Sequence, residues 1–301
     1  MTVESKADWI AVDWGTSNLR AYAMQGATVL ERKQSDQGMG GLARDAFETV
    51  LQNLIDPWIS KRALPVIACG MVGSRQGWVE APYRPVPCAP LGGDAVRAPT
   101  KHGLSVHVIA GLSQARPPDV MRGEETQIAG VLALNPGWDG VVCLPGTHTK
   151  WAEVSAGEVV SFQTFMTGEL FALLGEKSVL RHTVSASGWS DAEFVAAVDD
   201  ALSKPERLAA RLFRLRADGL LHETAAESAR AALSGYLIGA ELAAARPYWL
   251  GQNIAILGAE SQARAYQTAL SAQGVSALLI DNERATLAGL TAAHRALKET
   301  T

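Results

Sequence analysis

The segment Asp13–Asn18, which reads DWGTSN and is called loop 1 below, follows an apolar run. Its glycine permits a tight backbone approach, so backbone N–H groups and the Thr and Ser hydroxyls can lie close to a phosphate. Asp13 is suited to hold a water ligand of Mg²⁺, which favours carboxylate and water oxygens. An ordinary polar turn is the alternative. The candidate phosphate-binding residues are Asp13, Gly15, Thr16, Ser17 and Asn18, and Asp13 is also the candidate metal ligand.

A second loop of similar character, Gly146–Lys150 (loop 2), follows the apolar run Gly140–Pro145. Two such loops facing each other could clamp a phosphate chain, with His148 and Lys150 adding charge or hydrogen-bond donors. Their equivalent placement favours this interpretation over a surface hairpin. A third turn, Gly258–Ser261, follows the apolar run IAIL, and its small residues could let a flat base lie near the backbone. Ordinary strand-to-helix packing is the alternative. The further nucleotide-binding candidates are Gly146, Thr147, His148, Thr149, Lys150, Gly258 and Ala259.

Two adjacent carboxylates, Glu124 and Glu125, open a predicted helix that begins after Gly123. Carboxylates in the first turn of a helix are stabilised by the helix dipole, so capping is one interpretation. The other is a general base for an alcohol, which must lie within hydrogen-bond reach of the attacking hydroxyl. Both residues are therefore candidate catalytic groups.

The segment Gly70–Trp78 follows the carboxyl end of a predicted parallel strand, where open α/β sheets bind ligands. Arg75 could pair bidentately with a substrate carboxylate, and Arg84 in PYRPVPC is a second candidate. Either arginine is equally compatible with a surface position. The candidate substrate-binding residues are Ser74, Arg75 and Arg84.

The elements that carry these loops follow a pattern that occurs twice. Strand, Gly-Thr loop, strand, glycine turn, strand and helix follow one another from near Asp13 and again from near Val141. Continuous apolar runs at Leu64–Gly70 and Ser105–Leu112 predict buried parallel strands. The region 190–248 predicts helices, and Arg284–Leu297 predicts a last helix. The pattern indicates an α/β protein with a duplicated topology.

The composition is that of a globular protein with a substantial core. The 301 residues are 48% hydrophobic and 19% charged, which suffices for two domains. A formal net charge of -4, without a stretch rich in Lys and Arg, argues against non-specific nucleic-acid binding. No apolar run reaches the roughly 20 residues that span a bilayer, and the N-terminal segment lacks the apolar stretch of a signal peptide. Three widely spaced cysteines fit a reduced, cytoplasmic protein.

In this order along the chain, the motifs resemble those of the sugar kinase, Hsp70 and actin superfamily. Within it, the closest resemblance is to the 2-dehydro-3-deoxygalactonokinases, over residues 10–174. The matching stretches are IAVDWGTSNLRAY, ACGMVGSRQGW, PYRPVPCAP, MRGEETQIAG, LPGTHTKW and TFMTGELFALL. The remaining third of the chain matches mainly in pattern.

The resemblance implies an α/β fold with two actin-like (ribonuclease H-like) domains flanking a nucleotide cleft. Residues 1–136 would carry loop 1 and the sugar-acid site. Residues 137–301 would carry loop 2 and the adenosine site, with the last helix returning to the first domain. The implied reaction is ATP- and Mg²⁺-dependent phosphorylation of the 6-hydroxyl of 2-dehydro-3-deoxy-D-galactonate in galactonate degradation. The implied partners are ATP and the sugar acid, without nucleic acid or membrane, and a homodimer is left open.

Two positions depart from related kinases. Glycerol-kinase-type relatives carry Gly-Asp-Gln-Gln before their second phosphate loop, with the Asp as base, whereas this chain has Gly-Glu-Glu-Thr from Gly123. Glu124 is the positional match, and Glu125 beside it leaves the assignment open. Loop 2 also contains Gly-Thr-His rather than the usual Gly-Thr-Gly, so His148 is open to a role of its own.

Two other functions remain as alternatives. One is a phosphatase or ATPase of the exopolyphosphatase type, which also has a Glu-Glu pair before a phosphate loop, although its second loop is Gly-rich. The other is a non-catalytic nucleotide-switch module. Radical-dehydratase activators in that class need cysteines for an Fe–S cluster, and Cys69, Cys88 and Cys143 lack that pattern. ATP turnover that requires a sugar acid would exclude both.

Overall fold

The computed structural model describes residues 3–60, 62–93, 95–184 and 187–299. The strands are β1 (Trp9–Trp14), β2 (Leu19–Gln25), β3 (Thr28–Ser35), β4 (Pro65–Cys69), β5 (Tyr83–Pro85), β6 (Val96–Arg97), β7 (Ser105–Val108), β8 (Gly111–Gln114), β9 (Asp119–Met121), β10 (Gly140–Leu144), β11 (Thr149–Ser155), β12 (Glu158–Phe165), β13 (Ile254–Ile256) and β14 (Ala277–Leu279). The helices are α1 (Val3–Lys6), α2 (Phe47–Ile59), α3 (Glu124–Leu134), α4 (Thr167–Lys177), α5 (Arg181–Val184), α6 (Asp191–Ser203), α7 (Leu208–Leu221), α8 (Ala226–Ala244), α9 (Arg246–Trp249), α10 (Glu260–Ala272) and α11 (Asn282–Glu299). Short 3-10 turns lie at Met39–Gly41, Met71–Gly73 and Pro205–Arg207.

The chain forms two compact units. The first contains Met1–Trp138, Ser155–Ser161 and Asp281–Thr301, and the second contains Asp139–Val154 and Phe162–Ile280. Each unit therefore combines segments that are distant in sequence. The division of the chain into domains at residue 136 remains a prediction.

The main sheet of the first unit has the strand order β3-β2-β1-β4-β7-β6. Strands β1 to β3 form an antiparallel meander, whereas β4 runs parallel to both β1 and β7. The two faces of β1 are covered by different helices, as the two-residue period of a strand requires. Trp14 packs on Phe47 of α2, with ring centroids 5.1 Å apart, and Trp9 stacks on His294 of α11 at 4.3 Å.

Helices α3 and α11 pack on each other within the first unit at two glycines. A Cβ on Gly130 would lie 1.8 Å from the carbonyl oxygen of Ala285. A Cβ on Gly289 would lie 1.9 Å from the carbonyl oxygen of Thr126. The helices can therefore come this close only because neither position carries a side chain.

The predicted strand Ser105–Leu112 is wrong in its second half. Strand β7 ends at Val108, and the chain then leaves the main sheet and forms β8 in a small sheet of order β5-β8-β9. Gly111 permits the change of sheet, because a Cβ there would lie 2.6 Å from the Met121 carbonyl oxygen and 2.8 Å from the Tyr83 ring. An apolar run alone does not show at which residue a chain changes sheets.

The sheet of the second unit has the order β12-β11-β10-β13-β14. Its meander is followed by two parallel strands, as in β3-β2-β1-β4-β7 of the first unit, so the predicted duplication of topology is present. The predicted helices of 190–248 form α6, α7 and α8. Helices α6 and α8 pack closely because Gly235 and Gly239 face α6, where a Cβ would lie 2.4 Å from a backbone carbonyl oxygen. Among the described residues, no helix is both long and apolar enough to span a bilayer.

Candidate active site

Loop 1 leaves the end of β1 and is supported from behind by a glycine-rich segment. Backbone hydrogen bonds join Met39 N to the Gly15 carbonyl (3.0 Å) and Gly40 N to the Thr16 carbonyl (2.9 Å). A Cβ on Gly38 would lie 2.3 Å from the backbone of Ser17. The side chains of Thr16, Ser17 and Asn18 are exposed. The bracing segment was not predicted to belong to the site, although its sequence QGMGG is distinctive.

Asp13 lies beside Cys69 at the carboxyl ends of β1 and β4. Its Oδ2 accepts a hydrogen bond from Arg20 Nη1 at 3.0 Å, and a quarter of the side chain is exposed. Partial burial raises the pKa of Asp13, and the Arg20 charge opposes that rise. A second cation near Asp13 would stabilise the carboxylate in the same way, because an opposite charge favours the ionised form.

The start of α3 lies at the same edge of this sheet. Gly123 has φ +106°, and a Cβ on it would lie 3.2 Å from Gly70 Cα. Gly70, with φ +94°, follows β4 and lies against the carbonyl of Trp14. Three backbone segments therefore converge here, and they bring Asp13 and the Glu124–Glu125 pair to one edge of the sheet.

The two carboxylates of α3 differ in burial and in hydrogen bonding. Glu125 is 0% exposed, and its carboxylate accepts hydrogen bonds from Gly123 N (2.7 Å) and Thr126 Oγ1 (3.1 Å). Burial, and then the charge of Glu124, raise the pKa of Glu125 to about 7. Glu124 is half-buried and accepts a hydrogen bond from the backbone N of Arg122 at 3.0 Å. Both carboxylates cap the helix start, so the identity of the base stays a prediction.

The three candidate substrate-binding residues have different surroundings. Arg75 is exposed. Arg84 lies in β5, and its guanidinium donates to Cys88 Sγ at 3.3 Å and to the Ala89 carbonyl, both in the loop that follows. Ser74 is buried, and its Oγ has no hydrogen-bond partner within the described ranges. Arg84 is thus occupied by its own loop, whereas Ser74 retains an unused donor.

Arg122, which precedes the Glu pair, was missed as a candidate. Its side chain is 7% exposed and lies over the Tyr83 ring, with its guanidinium carbon 4.2 Å from the ring centroid. Nη2 donates to the Ala81 carbonyl at 2.7 Å. Nε and Nη1 have no hydrogen-bond partner in the part of the chain that the structure describes. Its place in the motif MRGEE was the signal that could have identified it.

The second unit contains a cavity of about 780 Å³ that brings loop 2 and the third candidate turn together. Gly146 and Thr149 of loop 2 and Ala259 of the turn all line it. Aromatic side chains and a few polar ones complete the wall, which is the usual character of a small-molecule site; they include Phe171, Trp189, Phe194, Arg230 and Ser234. Gly258 fits against Pro145, where a Cβ would lie 2.8 Å from the carbonyl oxygen.

Loop 2 is fixed to the start of α4. The backbone N of Glu169 donates to the Thr147 carbonyl at 2.9 Å, and His148 Nε2 lies 2.5 Å from Glu169 Oε2. Lys150 is buried, and its Nζ donates to the His148 carbonyl at 3.4 Å. His148 therefore projects from the loop with a carboxylate partner, whereas Lys150 supports the loop backbone.

A buried carboxylate under the cavity was also missed. Glu241 of α8 accepts hydrogen bonds from Trp151 Nε1 (2.7 Å), Tyr266 Oη (2.7 Å) and Thr167 Oγ1. The Tyr266 hydroxyl also lies 2.9 Å from Thr149 Oγ1, which connects this network to loop 2. Burial raises the pKa of Glu241 to about 7. An acid within the apolar helix segment GYLIGAEL was the signal in the sequence.

Comparison with known proteins decides the family. The family model described as 2-keto-3-deoxy-galactonokinase matches residues 13–293. The chain belongs to this family. It is 39% identical to a Rhizobium meliloti (strain 1021) protein assigned as 2-dehydro-3-deoxygalactonokinase, over 96% of this chain and 97% of that protein. It is 36% identical to the 2-dehydro-3-deoxygalactonokinase of Escherichia coli (strain K12), over 94% of this chain and 96% of that protein. The predicted family is confirmed.

Solved structures confirm the predicted fold class. The crystal structure of a Sinorhizobium meliloti protein assigned to the 2-dehydro-3-deoxygalactonokinases superposes with a TM-score of 0.90 at 39% identity, covering 96% of this chain and 99% of that one. The activator of 2-hydroxyisocaproyl-CoA dehydratase from Clostridium difficile, solved with bound ADPNP, gives a TM-score of 0.55 at 10% identity, over 97% of this chain and 96% of that one. The second likeness shows the fold alone.

The residues at this site suit a Mg²⁺ ion that is held mainly by waters and substrate phosphates. Within the described residues, no group of three or more His, Cys, Asp or Glu side chains is placed to hold a metal ion. Mg²⁺ usually keeps several waters and is bound through one or two carboxylates together with substrate phosphates. The partly exposed carboxylate of Asp13 next to loop 1 suits that arrangement.

Proposed function

We propose that this protein transfers the γ-phosphoryl group of ATP to the 6-hydroxyl of 2-dehydro-3-deoxy-D-galactonate in galactonate degradation. The observation that carries the proposal is the convergence of Asp13, loop 1 and the Glu124–Glu125 pair at one edge of the first sheet. Membership of the kinase family and the name of the Escherichia coli relative support the same reaction.

The candidate residues have separate roles in this reaction, because catalysis of phosphoryl transfer consists mainly of positioning and charge stabilisation. Loop 1 offers backbone N–H groups and exposed hydroxyls to phosphate oxygens. In the second unit, the cavity between loop 2 and Ala259 has the size and wall chemistry for a nucleoside. When bound, Mg²⁺ supplies charge neutralisation at the phosphates, and Asp13 is the residue that would hold it through a water ligand.

The acceptor hydroxyl must lose its proton as the O–P bond forms. We infer that Glu124 receives this proton, because it matches the base of related kinases by position and is more accessible than Glu125. Glu125 then caps α3 and, as a second negative charge beside Glu124, favours proton uptake by the pair.

An ADP-release assay tests the proposed function. The purified protein is given ATP, Mg²⁺ and a panel of 2-keto-3-deoxy sugar acids that differ in configuration at C4. We expect ADP release to require a sugar acid and to be fastest with the galactonate derivative. ATP hydrolysis at the same rate without an acceptor would instead support the phosphatase or ATPase alternative.

A further inference from the structure

Arg122 presents a buried positive charge that the protein itself does not fully satisfy. A guanidinium carries five N–H donors and stays charged in proteins. Here Nη2 has one backbone acceptor, while Nε and Nη1 are buried and have none among the described residues. Leaving charged donors unpaired away from water is costly, so such a group calls for a partner that arrives from outside the chain.

A second unsatisfied group is the hydroxyl of Ser74, which follows Gly73 in the chain, and Gly73 lies against this guanidinium. A Cβ on Gly73 would lie 2.9 Å from Arg122 Nη1. The next residue, Ser74, is 4% exposed, and its Oγ likewise has no partner within the ranges described. A buried cation and a buried hydroxyl, both with unused donors, fit a ligand that offers acceptor oxygens and negative charge.

We propose that Arg122, assisted by Ser74, binds the carboxylate of the sugar acid, an inference that rests on the proposed function. The Ala81 carbonyl occupies one N–H of Nη2. A guanidinium has two donor edges, one formed by Nε and Nη2 and the other by Nη1 and Nη2, and each edge uses a different N–H of Nη2. The Ala81 carbonyl therefore leaves one complete edge of two donors for a carboxylate. The two residues that follow Gly123 are the candidate bases, so the same backbone segment would position both the carboxylate anchor and the proton acceptor.

Tyr83 packs on one face of the Arg122 guanidinium, and its ring is itself 40% exposed. Because a carboxylate accepts hydrogen bonds from N–H groups in the guanidinium plane, the cation–π contact on the face is compatible with carboxylate binding at the edge. Arg75 and Arg84 are weaker candidates for the anchor, because the first is exposed and the second is bound to its own loop.

The test compares the sugar acid with its uncharged primary amide as acceptors, at saturating ATP. We expect the wild-type protein to prefer the acid strongly in kcat/KM. In Arg122→Gln, kcat/KM for the acid should fall by about 100-fold while the value for the amide changes less than about threefold, so the preference collapses. Arg122→Lys keeps the positive charge but loses the planar pair of donors, so kcat/KM should fall by about tenfold for the acid and stay unchanged for the amide. The control variants Arg75→Gln and Arg84→Gln should keep the wild-type preference.

Equal losses on the acid and the amide in both Arg122 variants would overturn the inference, since they would indicate a structural role. Calorimetric titration of the sugar acid without ATP separates this inference from the proposed function. If the wild type binds the sugar acid, Arg122→Gln does not, and no phosphoryl transfer occurs, the proposed reaction would be rejected and the anchor kept. A wild-type protein that binds no sugar acid would contradict both.

Discussion

Glu124 and Glu125 are adjacent in sequence, but they lie about 100° apart around the helix. Glu124→Gln should lower kcat by roughly 10²–10⁴-fold, the scale of a lost general base, with ATP binding retained. Glu125→Gln should lower kcat less, because this side chain is buried against the backbone of Gly123. Single-turnover phosphoryl transfer by both variants measures the difference.

The pH profile of the wild type provides an independent check on this pair. If Glu125 were the base, kcat would rise with pH through about 7, where its carboxyl loses its proton. If Glu125→Gln lowered kcat more than Glu124→Gln did, and the wild-type kcat rose with pH through about 7, Glu125 would be assigned as the base. Unchanged chemistry in both variants would place the base elsewhere.

Asp13 is expected to act through the metal. Asp13→Asn should lower turnover strongly and leave the fold intact, because the amide keeps the size of the side chain but removes the negative charge that orients Mg²⁺. It should also raise the Mg²⁺ concentration needed for half-maximal activity, measured by titrating Mg²⁺ at saturating ATP. Wild-type kcat at saturating Mg²⁺ would reject the role.

At the level of elements, the turn before α10 provides a test of the nucleotide cavity. Ala259 lines the cavity, so Ala259→Phe should fill part of it and weaken ATP binding by more than about tenfold. Ala272 is exposed at the other end of the same helix, and Ala272→Phe is the matched control. Equal affinity in the two variants, measured by calorimetry, would exclude this cavity as the nucleotide site.

The contact between α3 and α11 predicts a large effect of one methyl group. Gly289→Ala would place its Cβ against the Thr126 carbonyl, so the free energy of unfolding should fall by about 1–3 kcal/mol or more. Gly175→Ala in α4 meets only an ordinary contact at 3.7 Å and should be neutral or stabilising by up to about 1 kcal/mol. Denaturant unfolding of both variants distinguishes packing from helix propensity.

At the scale of the whole molecule, buried carboxyls make the stability depend on pH. The pKa of Glu241 is about 7 in the folded protein against an ordinary value of 4.5. The folded state therefore holds the proton more tightly, and this contribution is complete below about pH 4.5 and lost as pH rises through about 7. The loss amounts to roughly 3 kcal/mol at most.

The corresponding experiment measures the free energy of unfolding of the wild type and of Glu241→Gln across this pH range. The wild type should become less stable from about pH 5 to about pH 8, and the variant should show a shallower slope. Glu125, whose pKa is also raised to about 7, contributes a similar slope in the first unit. Parallel slopes in the wild type and the Glu241 variant would contradict the assignment.

Much of the fold was predictable because its signals are local. The runs that become β1 and β10 are continuously apolar and end in polar loops, which located both strands and the loops after them. The environment of Arg122 was not predictable, because it depends on Tyr83 of β5 and on Ala81 just before that strand, which lie some 40 residues away. The network around Glu241 depends on Trp151 and Thr167, which are 90 and 74 residues away. The break after Val108 depends on the pairing of β8 with β5 and β9.

The pairing of α3 with α11 has a consequence for protein synthesis. The face of α3 that carries Gly130 is completed by a helix that the ribosome makes only after the entire second unit. A chain that ended after Ile280 would contain every segment of the second unit and would lack only the helix that covers this surface of the first unit. Limited proteolysis of such a truncated chain should therefore cleave the first unit before the second.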